Sequence, residues 1–227
     1  SAPDSGAACA LVEPAQVELS PAVENSPEHS VKLTRQEVSR KLWHMSAGLV
    51  PFVVPFLPYY SVSPEHWGLQ GLRLMVIGTA FVLMSLSLVY SKRFARPNER
   101  SIAKAMSCYA LPVLALLLLF PAQLQLGFAV LAIVAIGDGA AGLIGMSLRG
   151  PRLLWNPGKT VTGTLAFLLF GIPVATAAYW FSAQTAVTWG ESVSIVTAAA
   201  LAAAVAESIP SSIDDNLRVG TAAAMGM

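Results

Sequence analysis

Lysine and arginine occupy only alternate connections between the apolar segments of this 227-residue chain. That alternation constrains the fold more than any motif does. Read by hydropathy, the apolar segments run roughly over 47–62, 69–90, 108–125, 127–147, 163–184 and 191–209. Most approach the ~20 residues a helix needs to cross a bilayer. Arg40 and Lys41 precede the first segment. Lys92, Arg93, Arg96, Arg100 and Lys104 fill the connection 91–107, Arg149, Arg152 and Lys159 lie in 148–162, and Arg218 follows the last segment. The connections near 61–68, 122–126 and 185–190 carry neither lysine nor arginine. The positive-inside rule then places both termini and both basic connections in the cytoplasm. Composition agrees: 55% of residues are hydrophobic and 12% charged, against about 25% charged in soluble domains. The expectation is an all-α, polytopic helical bundle of about six transmembrane segments.

Residues 1–33 differ in kind. Asp4, Glu13, Glu18, Glu24 and Glu28 face one base, Lys32, in an Ala/Pro/Ser-rich context. Such a segment buries too little apolar surface to fold alone, so it reads as a disordered polar tail, with 34–227 as the membrane-embedded domain. It lacks the basic start and apolar core of a secretory signal. Thr34 followed by Glu37 marks a helix start. The first apolar segment holds Pro51, Pro55 and Pro58 and reads as kinked or re-entrant. The last is mostly alanine and suits packing against other helices. Cys9 and Cys108 imply no disulfide framework. A net charge of +1 leaves no basic footprint for nucleic acid. Oligomeric state is not legible.

The unusual polar residues gather on the cytoplasmic half of this topology. Asp138 lies inside an apolar segment in "AIGDGAAGLIG", where an ionisable group is expensive and a functional candidate by default. Glu207 ends the last segment, with Asp214, Asp215 and Asn216 just beyond. Arg40, Lys41 and His44 begin the first segment, Arg40 and His44 sharing a helix face by their spacing of four. Lys159, Thr160, Thr162 and Thr164 open the fifth. Carboxylates and an amide oxygen suit Mg²⁺; lysine, arginine and a helix start suit phosphate. Together they describe a metal–polyphosphate site at the membrane face. Single residues have blander uses: Asp138 as a satisfied polar contact, Lys159 as an interfacial anchor, Glu207 and its neighbours as a solvated helix end. Gly137, Ala141 and Gly145 also allow close helix approach. Two apparent motifs fail. "GDGAAG" lies within a membrane segment with no acid some 20 residues on, and Leu153 stands where a P-loop needs its first glycine.

Four blocks resemble those of the integral-membrane, CTP-dependent lipid kinases: dolichol and polyprenol kinases, phytol kinases and yeast-type diacylglycerol kinase, grouped with the phosphatidate cytidylyltransferases. They are "RKLWHMSAG" (Arg40, Lys41, His44), "IGDGAAGLIG" (Gly137, Asp138, Ala141, Gly145), "GKTVTGTLAF" (Lys159, Thr160, Gly163, Thr164) and "ESIPSSIDDNLRV" (Glu207, Asp214, Asp215, Asn216). The resemblance spans about 40–220 and implies Mg²⁺-dependent phosphoryl transfer from CTP to a membrane lipid alcohol. On it, Asp138, Glu207 and Asp215 would bind metal. Arg40, Lys41, His44, Lys159, Thr160, Thr164 and Asn216 would hold the nucleotide and its phosphates. Asp138, Lys159 and Asp214 are the catalytic candidates. The runner-up is cytidylyl transfer to phosphatidate. A small transporter is the non-enzyme alternative, and no internal symmetry supports it.

Overall fold

The computed structural model describes residues 34–56, 64–91, 102–183 and 187–227. The tail at 1–33, Pro58, and the bases Lys92, Arg93, Arg96 and Arg100 lie outside the described residues. Helix α1, Arg35–Ser46, starts where Thr34 accepts the Glu37 backbone N–H. It runs on through a 3₁₀ turn (Ala47–Leu49), a short α2 (Val50–Val53) and a second 3₁₀ turn (Val54–Phe56). Pro51 and Pro55 lie within this stretch; each removes a backbone donor, so a regular helix does not persist. Around Pro51 and Pro55 the first segment is therefore built of short α and 3₁₀ turns.

Next come α3 (Pro64–Ser91), α4 (Ile102–Leu119), α5 (Leu124–Ala132), a π turn (Ile133–Asp138) and α6 (Gly139–Leu148). Arg149 ends α6 in the left-handed region, at φ 45°, and turns the chain into a small antiparallel hairpin. Its strands are β1 (Arg152–Leu153) and β2 (Asn156–Thr160). This hairpin is the one departure from all-helical structure among the described residues. Then follow α7 (Val161–Ser182), α8 (Trp189–Ser208) and α9 (Asp215–Met225).

Among the described residues, three helical stretches are long and apolar enough to cross a membrane: Leu124–Leu148, Val161–Ser182 and Trp189–Ser208. Ile77–Leu86 and Ser107–Leu119 are shorter apolar stretches. Against the expected six, the difference is physical. Glu65, His66, Gln70 and Arg73 occupy the first third of α3, and the proline-broken turns take up the first segment.

Helix α7 is central, packing on α5, the π turn, α6 and α8. Small residues set its distance from α6. A Cβ on Gly163 would lie 3.1 Å from the Ala141 carbonyl oxygen, and one on Gly171 would lie 3.3 Å from Gly137 Cα. The small-residue spacing in the sequence therefore does bring helices together. Phe167, Ile133, Val130, Val134 and Val196 fill the core. On α8, Ala199, Ala200, Ala203 and Ala204 face inward, while Leu201 and Val205 are exposed. Leu165, Leu169 and Phe170 on α7 and Leu74, Phe81 and Val89 on α3 are exposed too. So many bare apolar side chains suit lipid rather than water.

The end of the chain is more ordered than a solvated helix end. Asp214 caps α9, accepting the Asn216 backbone N–H at 3.0 Å. Val219, Gly220 and Ala223 of α9 are buried, the helix lying against α8 and α4.

Candidate active site

The hairpin is tied to the end of α8. Asn156 Nδ2 donates to the Ser208 carbonyl at 3.1 Å, while its Oδ1 accepts the Gly158 N–H. Three residues after that anchor, Lys159 reaches Glu207 Oε1 at 3.0 Å and Asp215 Oδ2 at 3.0 Å. Arg218 completes the group, donating to Asp215 Oδ1 at 2.7 Å and to the Ile209 carbonyl. Burial opposes the charge on Lys159, but the carboxylates of Glu207 and Asp215 outweigh it and hold its pKa above the ordinary lysine value.

A second cluster forms where α1 crosses the π turn and α6. Lys41 Nζ donates to Asp138 Oδ2 at 2.9 Å. His44 Nε2 lies 3.7 Å from the same oxygen and 3.4 Å from the Val134 carbonyl. Lys41 and His44 are three apart on α1, so both reach one point. Burial pushes the His44 imidazole below the ordinary histidine value; Asp138 opposes the shift and Lys41 and Arg40 add to it. Lys41 passes over Gly142, where a Cβ would lie 2.6 Å from its Cε. The π turn presents Asp138 at its last residue; such wide turns occur frequently at functional sites.

The two clusters communicate. Asp138 lies within electrostatic range of both Lys159 and Glu207. Gly145 lies against Thr160 and Gly163, whereas Gly137 lies against Phe167 and Gly171. Asp138 is therefore about two turns, or roughly 10 Å, inside the helix end where Lys159 stands. The polar site descends from that rim into the span.

Other expected residues take local roles. Thr160 caps α7 by accepting the Gly163 N–H at 3.1 Å, and Thr164 Oγ1 donates to the Thr160 carbonyl. Arg40 pairs with Glu37 at 2.6 Å rather than with Asp138. Asp214 uses Oδ1 for capping, and Asn216 sits in the first turn of α9 beside Asp215. Among the described residues no three His, Cys, Asp or Glu side chains converge as a ready-made metal cage. Mg²⁺ needs only one or two carboxylates beside substrate phosphates and water. Glu207 fits that demand, since its Oε2 is buried without a hydrogen-bond partner.

Three residues of the site do not stand out in the sequence. Arg218 reads there as a topology-setting base, although its spacing of three from Asp215 is visible. Asn156 and Tyr109 carried no signal. Tyr109, on α4, meets His44 edge to face with ring centroids 4.7 Å apart.

These features define a multi-helix membrane protein with a lysine–carboxylate network sunk between its helices. By sequence, the chain is homologous to plant phytol kinases. It is 27% identical over 197 residues to phytol kinase 1, chloroplastic, of Arabidopsis thaliana, covering 82% of this chain and 64% of that protein. It is 26% identical over 197 residues to the probable phytol kinase 1, chloroplastic, of Glycine max, covering 82% and 65%. It is 28% identical over 199 residues to the probable phytol kinase 2, chloroplastic, of Oryza sativa subsp. japonica, covering 81% and 63%. The chain thus spans just under two thirds of the length of these relatives. No family model matches the chain, and no solved structure matches it.

Proposed function

We propose that this protein transfers the γ-phosphoryl group of CTP to the hydroxyl of a membrane lipid alcohol of the phytol or polyprenol type, with Mg²⁺. The observation that carries the reading is the linked pair of clusters, Lys41–Asp138–His44 and Lys159–Glu207–Asp215–Arg218. They set acids beside bases across roughly 10 Å of helix depth. A water-borne polyphosphate and a lipid hydroxyl need a meeting place of that kind. The names of the homologues support a lipid alcohol as acceptor.

In this reading Lys159 and Arg218 exchange some carboxylate contacts for phosphate oxygens, with Thr160 and the start of α7 behind them. Lys41 steadies the transferred group from the deeper side. Asp138 takes the proton of the acceptor hydroxyl. The oxygen–phosphorus bond forms as the bond between the γ-phosphorus and the bridging oxygen breaks, releasing CDP. Glu207 and Asp215 would hold Mg²⁺, which when bound neutralises charge on the polyphosphate. Both termini and the basic connections face the compartment holding the nucleotide.

The test is incubation of the purified protein with γ-labelled CTP and phytol in mixed micelles. Label recovered in the lipid is the expected result. Label released as pyrophosphate with phosphatidate as acceptor would replace the kinase reading with cytidylyl transfer.

A further inference from the structure

Tyr109 stands outside every sequence block described above, yet its side chain reaches the deeper cluster. Its ring packs against the hydrophobic core and edge-on against His44, with an interplanar angle of 61°. Its hydroxyl oxygen is fully buried and has no hydrogen-bond partner among the described residues. Asp138 lies within electrostatic range of it. A buried phenol O–H usually finds an acceptor, and one left unmet costs free energy. The hydroxyl is held there by the packing of its ring on His44, which itself lies 3.7 Å from the acid that the proposed reaction uses.

We infer that Tyr109 receives the acceptor alcohol, its phenol O–H donating to the oxygen of the lipid hydroxyl and leaving that hydroxyl's own proton for Asp138. The inference rests on the kinase reading and deepens it, because it assigns the two substrates to the two ends of the site. A polyphosphate is recognised by cations and backbone N–H groups, which gather at the Lys159 end. A neutral phenol suits a neutral hydroxyl. Tyr109 also lies near the start of the apolar stretch Ser107–Leu119, where a lipid chain has apolar surface to follow.

The experiment compares the wild-type full chain with Tyr109→Phe, which removes only the oxygen. Initial rates are measured against phytol at saturating CTP and against CTP at saturating phytol. Melting temperatures are measured with and without phytol, nucleotide omitted. The expected result is a roughly 3- to 10-fold lower kcat/KM for phytol, the scale of one neutral hydrogen bond, with KM for CTP unchanged. Without phytol the variant should melt at or above the wild type, because an unmet buried hydroxyl is gone. Its stabilisation by phytol should shrink. An unchanged kcat/KM for phytol, or a loss confined to KM for CTP, overturns the assignment of Tyr109 and leaves the kinase reading standing. A wild-type protein that neither phosphorylates phytol nor is stabilised by it sinks both.

Discussion

A single methyl group tests how closely the site is built. In Gly142→Ala the new Cβ would lie 2.6 Å from Lys41 Cε and 2.8 Å from Lys41 Nζ. Heavy atoms at rest stand about 3.5–4.0 Å apart, so the end of the lysine must retreat by about 1 Å. Its 2.9 Å bond to Asp138 does not survive that displacement. A hydrogen bond to a charged group contributes about 1.5–3 kcal/mol, which in a transition state is about 10- to 150-fold in kcat/KM. Stability should fall by only about 1–2 kcal/mol, because two effects offset much of the lost bond. The atoms that yield belong to the far end of a flexible side chain, and alanine favours a helix over glycine by about 1 kcal/mol. The assay is phytol phosphorylation in mixed micelles, run on Gly142→Ala, Lys41→Met and the double variant. The methyl should be nearly silent once Lys41 is gone, since the two changes break one interaction. A Gly142→Ala enzyme with wild-type kcat/KM refutes the reasoning. So does a methyl that costs as much in the Lys41→Met background as alone.

Two further variants probe the surroundings. Lys159→Met removes the ammonium that donates to Oε1 of the buried Glu207 at 3.0 Å; unpairing a buried charge costs about 3–5 kcal/mol. Thermal unfolding in detergent should show this loss, and adding Glu207→Gln should restore most stability without restoring turnover. A Lys159→Met protein as stable as the wild type would contradict the pairing. Gly163→Ala presses a methyl against the Ala141 carbonyl at 3.1 Å, where backbone cannot yield, so about 1–3 kcal/mol of stability should go. Gly78→Ala is its control: among the described residues no atom beyond its own helix backbone and chain neighbours lies within 4 Å of the added Cβ, and melting should be unchanged or higher.

What the sequence revealed and what it hid divide along physical lines. Asp138, Lys159, Glu207 and Asp215 could be picked out because ionisable groups at the ends or middle of apolar segments are rare, and rarity is visible in one dimension. The approach of α6 to α7 was legible for a similar reason, since Gly137, Ala141 and Gly145 recur at helical spacing. Pairing was not legible. Nothing in the chain's order says that Lys41 meets Asp138, 97 residues away. Tyr109 and Asn156 act only through tertiary neighbours and look ordinary in sequence. The hairpin was hidden because its strands are short and its residues, "RLLWNPGKT", show no alternation. The π turn escaped too, because its composition is that of any buried helix.

That wide turn has a consequence for register. Each residue added to a helix rotates everything beyond it by about 100° and advances it about 1.5 Å. The extra residue accommodated between Ile133 and Asp138 therefore sets the phase of the second half of the span against the first. With it, Asp138 meets Lys41 and His44 while Gly127, in the first half, keeps its seat against Leu117 and Val113 of α4. Wound as one uninterrupted α-helix, the same 25 residues would hold one half in place and turn the other away. The span thus has one place where a residue can be lost without twisting its two ends against each other. A deletion elsewhere along it would dial the carboxylate out of the site.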